Sequence, residues 1–330
     1  MKIKKDFRLS EVLWYKIGGI CRYLLDCESS EDILNALEFI EKNHVKKFLV
    51  VGLGSNLLFT DEYYDGAVIR IVSSENKHDI SQVGNNIVEA FAGVTLDNVI
   101  RFAFENKLVG LEWAGGLPGT IGAAIRGNVG AFGGEIKDSF HHAEAIRIVA
   151  LKSSVGEGVG LKVESFNRRD IKFSYRTSTV KLNKNLIVIS VAFQLRKATD
   201  EELAKARQTY FGNIEYRNKR HPMDLPSNGS AFKNIVKLEE VQKILDVYPD
   251  IEEKIRIDWH GKVSVGYLIK RLDLSGFQIG GAQISRKHSN FIVNTGGARF
   301  TDVIGIIRKV QTIFEETFGF APEPEVEIVE

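Results

Sequence analysis

Apolar residues at Ile33, Leu34, Leu37 and Ile40 recur at the spacing of one helix face, with Ser30 as a cap candidate, and predict a helix over residues 30–43. The run KFLVVG after it, and AVIRIV at residues 67–72, are short, apolar and β-branched, and predict buried strands. A further strand is expected at NIVEAFAG, then a helix over residues 95–107 with Leu96, Val99, Ile100 and Ala103 on one side. EAIRIVA, GLKVESF and NLIVISVAFQL predict a β-rich second unit that closes near residue 200. A charged stretch follows, then helices near residues 237–247 and 264–272. The last helix is expected to be capped by Thr301, to bury Val303, Ile306, Ile307, Val310 and Phe314, and to end at Gly319.

Two glycine-bearing segments break this periodicity. GLGSN, residues 52–56, follows a strand, but a dinucleotide-binding fingerprint would need its third glycine where Leu57 stands, and no helical pattern starts there. The segment is either a nest of N–H groups for an anion, with Ser55 and Asn56 as donors, or an ordinary tight turn. Residues 110–135 hold so much glycine that no long helix or regular strand is expected. Such a loop either lets a phosphate or flat cofactor approach the backbone, with Thr120 and Asn128 as donors, or is a packing corner.

Composition removes whole classes. Lys plus Arg number 44 against 43 for Asp plus Glu, so the net charge of +1 favours neither nucleic acid nor an anionic membrane, and any anionic ligand must be held locally. Two cysteines, Cys21 and Cys27, form no CxxC pair or disulfide framework and fit a reducing compartment. The basic start lacks an apolar segment behind it and no 18-residue apolar run occurs, so a soluble cytoplasmic protein is expected.

The remaining candidates are single side chains, each with an everyday alternative. FSYRTS sets Tyr175 beside Arg176; a guanidinium grips a carboxylate or enolate, but in a strand the two neighbours face opposite ways and a solvated Arg is the default. Arg217, Lys219, Arg220 and His221 suit a diphosphate or a solvated loop, and SRKH at residues 285–288 repeats that ambiguity. His141 and His142 lack further ligands at metal spacing and are read as structural; no metal is expected. Ser230 in NGSAFKN has no nucleophile elbow around it and otherwise reads as a turn serine. Glu323, Glu325, Glu327 and Glu330 alternate with apolar residues, as on an exposed strand face.

Taken in order, WYKIGG, GLGSNLLFTD, GLEWAGGLPGTIGAAIRGNVGAFGGEI, FSYRTS, NGSAFKN, GFQIGGAQISRKHSNFIVN and PEPEVEI resemble the UDP-N-acetylenolpyruvoylglucosamine reductase (MurB) family, from about residue 14 to the C-terminus. The short link between Gln194 and Ser230 resembles the family's shorter type, without a tyrosine-bearing lid loop. The resemblance implies an α+β fold with an FAD-binding domain of the PCMH, or vanillyl-alcohol-oxidase, type: subdomains over residues 1–72 and 73–200, then a substrate-binding domain over 201–330 whose C-terminal strand returns to the active site. It implies non-covalent FAD held by Gly52, Leu53, Gly54, Ser55, Asn56, Leu57, Gly116, Gly119, Thr120, Ile121, Gly122, Asn128 and Ala131.

The implied reaction is NADPH-dependent reduction of UDP-N-acetylglucosamine enolpyruvate to UDP-N-acetylmuramate, for peptidoglycan. Hydride from flavin N5 goes to the β-carbon. By resemblance, Arg176 and a protonated Glu325 stabilise the enolate that develops, and Ser230 protonates the α-carbon, with Lys233 supporting its alkoxide. Tyr175, Arg220, Lys233, Asn234, Gln283 and His288 are the candidates for holding the UDP-sugar, with Arg217 and Lys219 further possibilities for its diphosphate. Nucleic acid and membrane insertion are not implied; a monomer is compatible and the oligomeric state stays open. Arg126, Ala231 and Ile235 depart from the family pattern without removing a catalytic group; Arg126 is open to contact a cofactor phosphate or to pair with Glu112. The alternatives are an FAD-linked oxidase of the same fold, which has no use for an α-carbon proton donor, and a non-catalytic UDP-sugar-binding paralogue, which would be free to lose Arg176, Ser230 or Glu325.

Overall fold

The structure is a computed structural model that describes residues 1–74, 79–153, 156–259 and 261–330. The chain divides into two compact units: Met1–Phe7, Cys21–Leu53 and Tyr64–Arg217 form the first, and Arg8–Ile20, Gly54–Tyr63 and Asn218–Glu330 the second.

The first unit holds two sheets. One has the strand order Lys2–Arg8, Ile20–Cys27, Tyr64–Ile71, Phe48–Val51. The last three pair in parallel, which requires a crossover, and the helix Ser30–Lys42 supplies it. Its cap is Ser29 rather than Ser30: the Ser29 hydroxyl accepts from the Asp32 N–H at 3.1 Å. The other sheet is antiparallel throughout, in the order Gly156–Asn167, Phe140–Ser153, Leu186–Gln194, Ile87–Phe91, Ile80–Gln82. Leu186–Gln194 lies mid-sheet and is buried along nearly its whole length, which is why its sequence reads as a continuous apolar run. The helix Leu96–Glu105, capped by Thr95, buries Leu96, Val99, Ile100 and Ala103.

The charged stretch after residue 198 is a 21-residue helix, Asp200–Arg220, which the apolar pattern did not announce. Only Leu203, Ala206, Tyr210 and Arg217 are buried on it, a stripe too thin to stand out among charges.

In the second unit, Ser227–Ser230, Phe291–Asn294, Ala282–Ile284 and Gln278–Ile279 form an antiparallel sheet in that order. The helix Phe300–Phe318 packs its predicted face into the unit's core and ends at Gly319 in the left-handed conformation, φ 71°. Thr301 does not cap it. The Asp302 carboxylate instead accepts the N–H groups of Arg299 at 3.0 Å and Gly281 at 3.2 Å. A parallel ladder joins Leu57–Phe59 to Glu327–Val329, so the last residues are held within this unit. Among the described residues no helix is long and apolar enough to cross a membrane.

Candidate active site

In the first unit the glycine segments meet. A Cβ on Gly52 would stand 2.4 Å from the Thr120 hydroxyl, one on Gly134 2.3 Å from the Trp113 ring, and one on Gly115 2.4 Å from the Tyr210 carbonyl oxygen. These three glycines therefore serve contacts within the chain itself, as a packing corner would. Gly116 and Gly119 take φ 73° and 131°. Several cofactor candidates are already engaged: the N–H groups of Ile121 and Gly122 donate to Val94 and Ala92 at 2.9 and 3.0 Å. Asn128 is fully buried. Its amide donates to Glu135 at 2.8 Å and the Ser174 carbonyl at 3.0 Å, and its oxygen accepts the Lys137 N–H at 3.1 Å. Gly130 and Ala131 pair with Glu135 and Gly134 in a two-residue ladder.

Asn128 thereby ties the loop to the Tyr175–Arg176 segment, which is a turn and not a strand. Ser174 and Thr177 exchange backbone hydrogen bonds at 3.0 and 3.2 Å, and Arg176 sits at the tip with φ 56°. A non-glycine residue held left-handed is a strained position, and such positions cluster at functional sites. The Arg176 guanidinium donates to the Gly130 carbonyl at 3.1 Å and lies 5.2 Å from the Tyr175 ring, so side chains expected on opposite faces are neighbours.

The basic cluster splits. Lys219 and Arg220 are exposed in the last turn of Asp200–Arg220. Arg217 is only 7% exposed: its Nε donates to Gly115 at 2.9 Å and its guanidinium lies 5.0 Å from the Phe132 ring. Burial lowers its pKa to about 10. Two buried donors here, Arg217 Nη2 and Trp113 Nε1, have no acceptor among the described residues. Left-handed glycines and unanswered donors together fit an acceptor-rich group such as FAD.

In the second unit, Ser230 follows Gly229, whose φ of 73° is the left-handed region glycine enters freely; a Cβ there would meet nothing within 4 Å. The half-buried Ser230 hydroxyl makes no hydrogen bond among the described residues. The next residue's carbonyl, Ala231, accepts the Glu325 N–H at 2.8 Å, and Lys233 N–H donates to Glu323 at 2.9 Å. Phe232 and Pro324 form a bridge between them. Two of the three residues expected to be catalytic, widely separated in sequence, are thus backbone neighbours.

Three asparagines make this junction, none of them recognised in that role from sequence. Asn290 is 3% exposed; its side chain accepts the Phe232 N–H at 3.1 Å and donates to the Phe232 carbonyl at 2.9 Å, while its own carbonyl accepts from Ala231 at 2.6 Å. Asn228 donates to the Leu57 carbonyl at 2.8 Å, and its oxygen is buried without a partner among the described residues. Asn56 donates to the Glu325 carbonyl at 3.1 Å. The available signal was position: Asn228 and Asn290 each stand where a polar segment meets a short strand.

The substrate candidates have mixed surroundings. Lys233 forms an ion pair with Glu323, Gln283 donates to Gln278 at 2.9 Å, and Asn234 is half-buried. His288 packs edge-on against His221 at 5.0 Å and Phe291 at 4.8 Å, and burial lowers its pKa. Outside this region, Cys21 and Cys27 are buried free thiols, raised by burial to about 11 and about 12, which keeps them inert. The rings of His141 and His142 approach each other at 2.8 Å, and no metal-binding group of three or more ligands occurs among the described residues.

Two family models match the chain. Residues 22–177 match the model of an FAD binding domain, and residues 221–329 that of the UDP-N-acetylenolpyruvoylglucosamine reductase C-terminal domain. The UDP-N-acetylenolpyruvoylglucosamine reductase of Caldicellulosiruptor bescii is 34% identical over 98% of this chain and 90% of its own length. The chain belongs to the UDP-N-acetylenolpyruvoylglucosamine reductase family. The enzyme of that name from Thermotoga maritima is 35% identical over 95% of this chain and 94% of its own length. The crystal structure of the reductase (MurB) from Thermus caldophilus superposes with a TM-score of 0.72 at 26% identity, covering all of both chains. The protein is thus an FAD-dependent oxidoreductase of this family, with the expected α+β fold.

Proposed function

We propose that this chain catalyses NADPH-dependent reduction of UDP-N-acetylglucosamine enolpyruvate to UDP-N-acetylmuramate, a cytoplasmic step of peptidoglycan synthesis. The observation that carries the reading is Ser230: a half-buried hydroxyl without a hydrogen-bond partner among the described residues, at the end of the strand Ser227–Ser230 just after the left-handed Gly229, with the next carbonyl holding the Glu325 backbone. A structural turn serine would ordinarily spend its hydroxyl on a nearby backbone group.

FAD, when bound, supplies hydride for the β-carbon of the enolpyruvyl ether. The rest falls to the chain. Arg176 contributes a fixed cation for the enolate oxygens, and its guanidinium is already oriented by the Gly130 carbonyl. Glu325, protonated, donates a hydrogen bond to the same developing charge, and Ser230 delivers the proton to the α-carbon. Lys233 is engaged by Glu323 through one of its three ammonium donors, and we propose that another supports the Ser230 alkoxide. Tyr175, Arg220, Asn234, Gln283 and His288 are proposed to hold the UDP-sugar. The division into subdomains 1–72 and 73–200 with a substrate domain 201–330 is likewise our proposal, as are the FAD contacts of Gly52 to Ser55, Leu57, Gly116, Gly119 to Gly122, Asn128 and Ala131; the Asn56 side chain is turned instead to the Glu325 carbonyl.

Anaerobic visible spectroscopy tests this. NADPH is expected to bleach the flavin bands and the enolpyruvyl sugar to restore them. In Ser230→Ala the bleaching is expected to stay normal while restoration slows by roughly 10²–10⁴-fold, the range for loss of a positioned general acid. Normal restoration in that variant removes Ser230 from the chemistry, and failure of the sugar to reoxidise wild-type flavin removes the substrate assignment.

A further inference from the structure

Asn56 ends the GLGSN motif and lies in the second unit, where its partners belong to the C-terminal segment. Its side-chain amide donates to the Glu325 carbonyl at 3.1 Å, and its own backbone carbonyl accepts the Glu327 N–H at 3.0 Å. The ladder continues from there in parallel register, Leu57 with Glu327, Leu58 with Ile328 and Phe59 with Val329, and closes with the Thr60 N–H on the Val329 carbonyl at 2.9 Å. The Glu325 N–H is held from the other side by the Ala231 carbonyl at 2.8 Å. Both main-chain polar groups of Glu325 are therefore fixed, one by the residue after Ser230 and one by Asn56. With its backbone pinned at both ends, the carboxyl group starts from one defined position, the kind of support a catalytic side chain needs to stay within a fraction of an ångström of productive geometry.

We infer that Asn56 is a positioning residue for Glu325: its amide sets the backbone from which that carboxyl acts on the substrate. The inference rests on the proposed role of Glu325 in enolate stabilisation. It reassigns the side chain of a motif residue from cofactor binding to the reduction of the sugar. The parallel ladder survives removal of the Asn56 side chain, because every rung of it is main chain, so Asn56→Ala should fold and keep its strand.

The test separates the two half-reactions in the FAD-loaded enzyme. Asn56→Ala and Asn56→Asp, which lacks the donor at nearly the same shape, are expected to leave the FAD dissociation constant and the rate of flavin reduction by NADPH within about twofold. Reoxidation by the enolpyruvyl sugar is expected to slow by about tenfold, equivalent to one hydrogen bond of ordinary strength lost from the transition state. In a Glu325→Gln background, where the positioned group is already impaired, adding Asn56→Ala should cost less than about twofold further, the non-additivity of residues acting through one another. Fully additive losses would show that Asn56 acts independently of Glu325. Weakened FAD binding with unchanged reoxidation would return Asn56 to the cofactor. If Glu325→Gln itself reduces the sugar normally, the role of Glu325 fails and the inference with it, an outcome distinct from an impaired Glu325→Gln beside an unimpaired Asn56→Ala.

Discussion

The glycine-rich loop of the first unit and the Ser230–Glu325 junction of the second are both irregular backbone, but they are built in opposite ways. The loop packs against Gly52 and the helix Asp200–Arg220 and is held by what is missing: Gly52, Gly115 and Gly134 stand where a Cβ would press on Thr120, Tyr210 and Trp113. The junction draws residues 56, 230–233, 290 and 323–327 together from across the chain, and is held by what is present, the amides of Asn56 and Asn290 and the backbone bonds between them. The first should fail when atoms are added. The second should fail when polar atoms are removed.

The sharpest way to break the contrast is Gly115→Ala. Its new methyl would meet a helix carbonyl, not the end of a flexible side chain, so the helix Asp200–Arg220 must shift. We expect about 3 kcal/mol of lost stability, the upper part of the usual range for overpacking, in urea unfolding. The same addition at Gly229, where a Cβ meets open space, should cost less, since only the left-handed φ opposes it. Equal losses at the two glycines would erase the distinction. For the junction, Asn290→Ala strips the Phe232 N–H and carbonyl of their side-chain partners in a buried setting and should cost about 2 kcal/mol. The sugar half-reaction should suffer with it, because the Ala231 carbonyl that holds Glu325 belongs to the residue next to Phe232. A stable Asn290→Ala variant with normal reoxidation would show that the junction tolerates loss of the amide.

These differences also explain what sequence could and could not convey. Regular elements with a broad apolar face were legible: residues Val303 to Phe314 announced their helix, and the run at residues 185–195 its buried strand. The helix Asp200–Arg220 was hidden because four buried residues, Leu203, Ala206, Tyr210 and Arg217, anchor a largely solvated cylinder. FSYRTS looked like a strand because its turn needs no glycine; Arg176 itself accepts the left-handed φ. Glycine-rich composition marked a close approach but not by what, and three of those glycines face the chain's own atoms. Caps misled by one residue, since Ser29 and Ser30 are adjacent and chemically equal, and Asp302 captures two N–H groups that Thr301 does not. The meeting of Ser230 with Glu325 follows from the antiparallel Phe232–Pro324 bridge and the Glu325 N–H on the Ala231 carbonyl, pairings of distant segments that local periodicity cannot encode. Only the ordered set of motifs pointed to it.

The smallest effect concerns His288, on the junction's polar side. Its ring is buried against His221 and Phe291, and its Nδ1 accepts the Asn290 N–H at 3.3 Å, an arrangement that requires the neutral imidazole. Burial lowers its folded pKa below the ordinary 6.5. Above about pH 6.5 the ring is neutral in both folded and unfolded chains and contributes no pH dependence. As pH falls through 6.5 the unfolded chain binds a proton that the folded chain resists, so stability drops with acidification down to the folded pKa. In His288→Gln, which keeps an acceptor for Asn290 but cannot titrate, the urea midpoint should fall less between pH 8 and pH 5.5 than in the wild type. The glycine loop offers a control, since Gly115→Ala leaves His288 in place and should keep the wild-type slope. Identical slopes for wild type and His288→Gln would mean that the folded ring takes up its proton as readily as the unfolded one, so that the Asn290 contact does not hold it neutral and the junction is held by its amides alone.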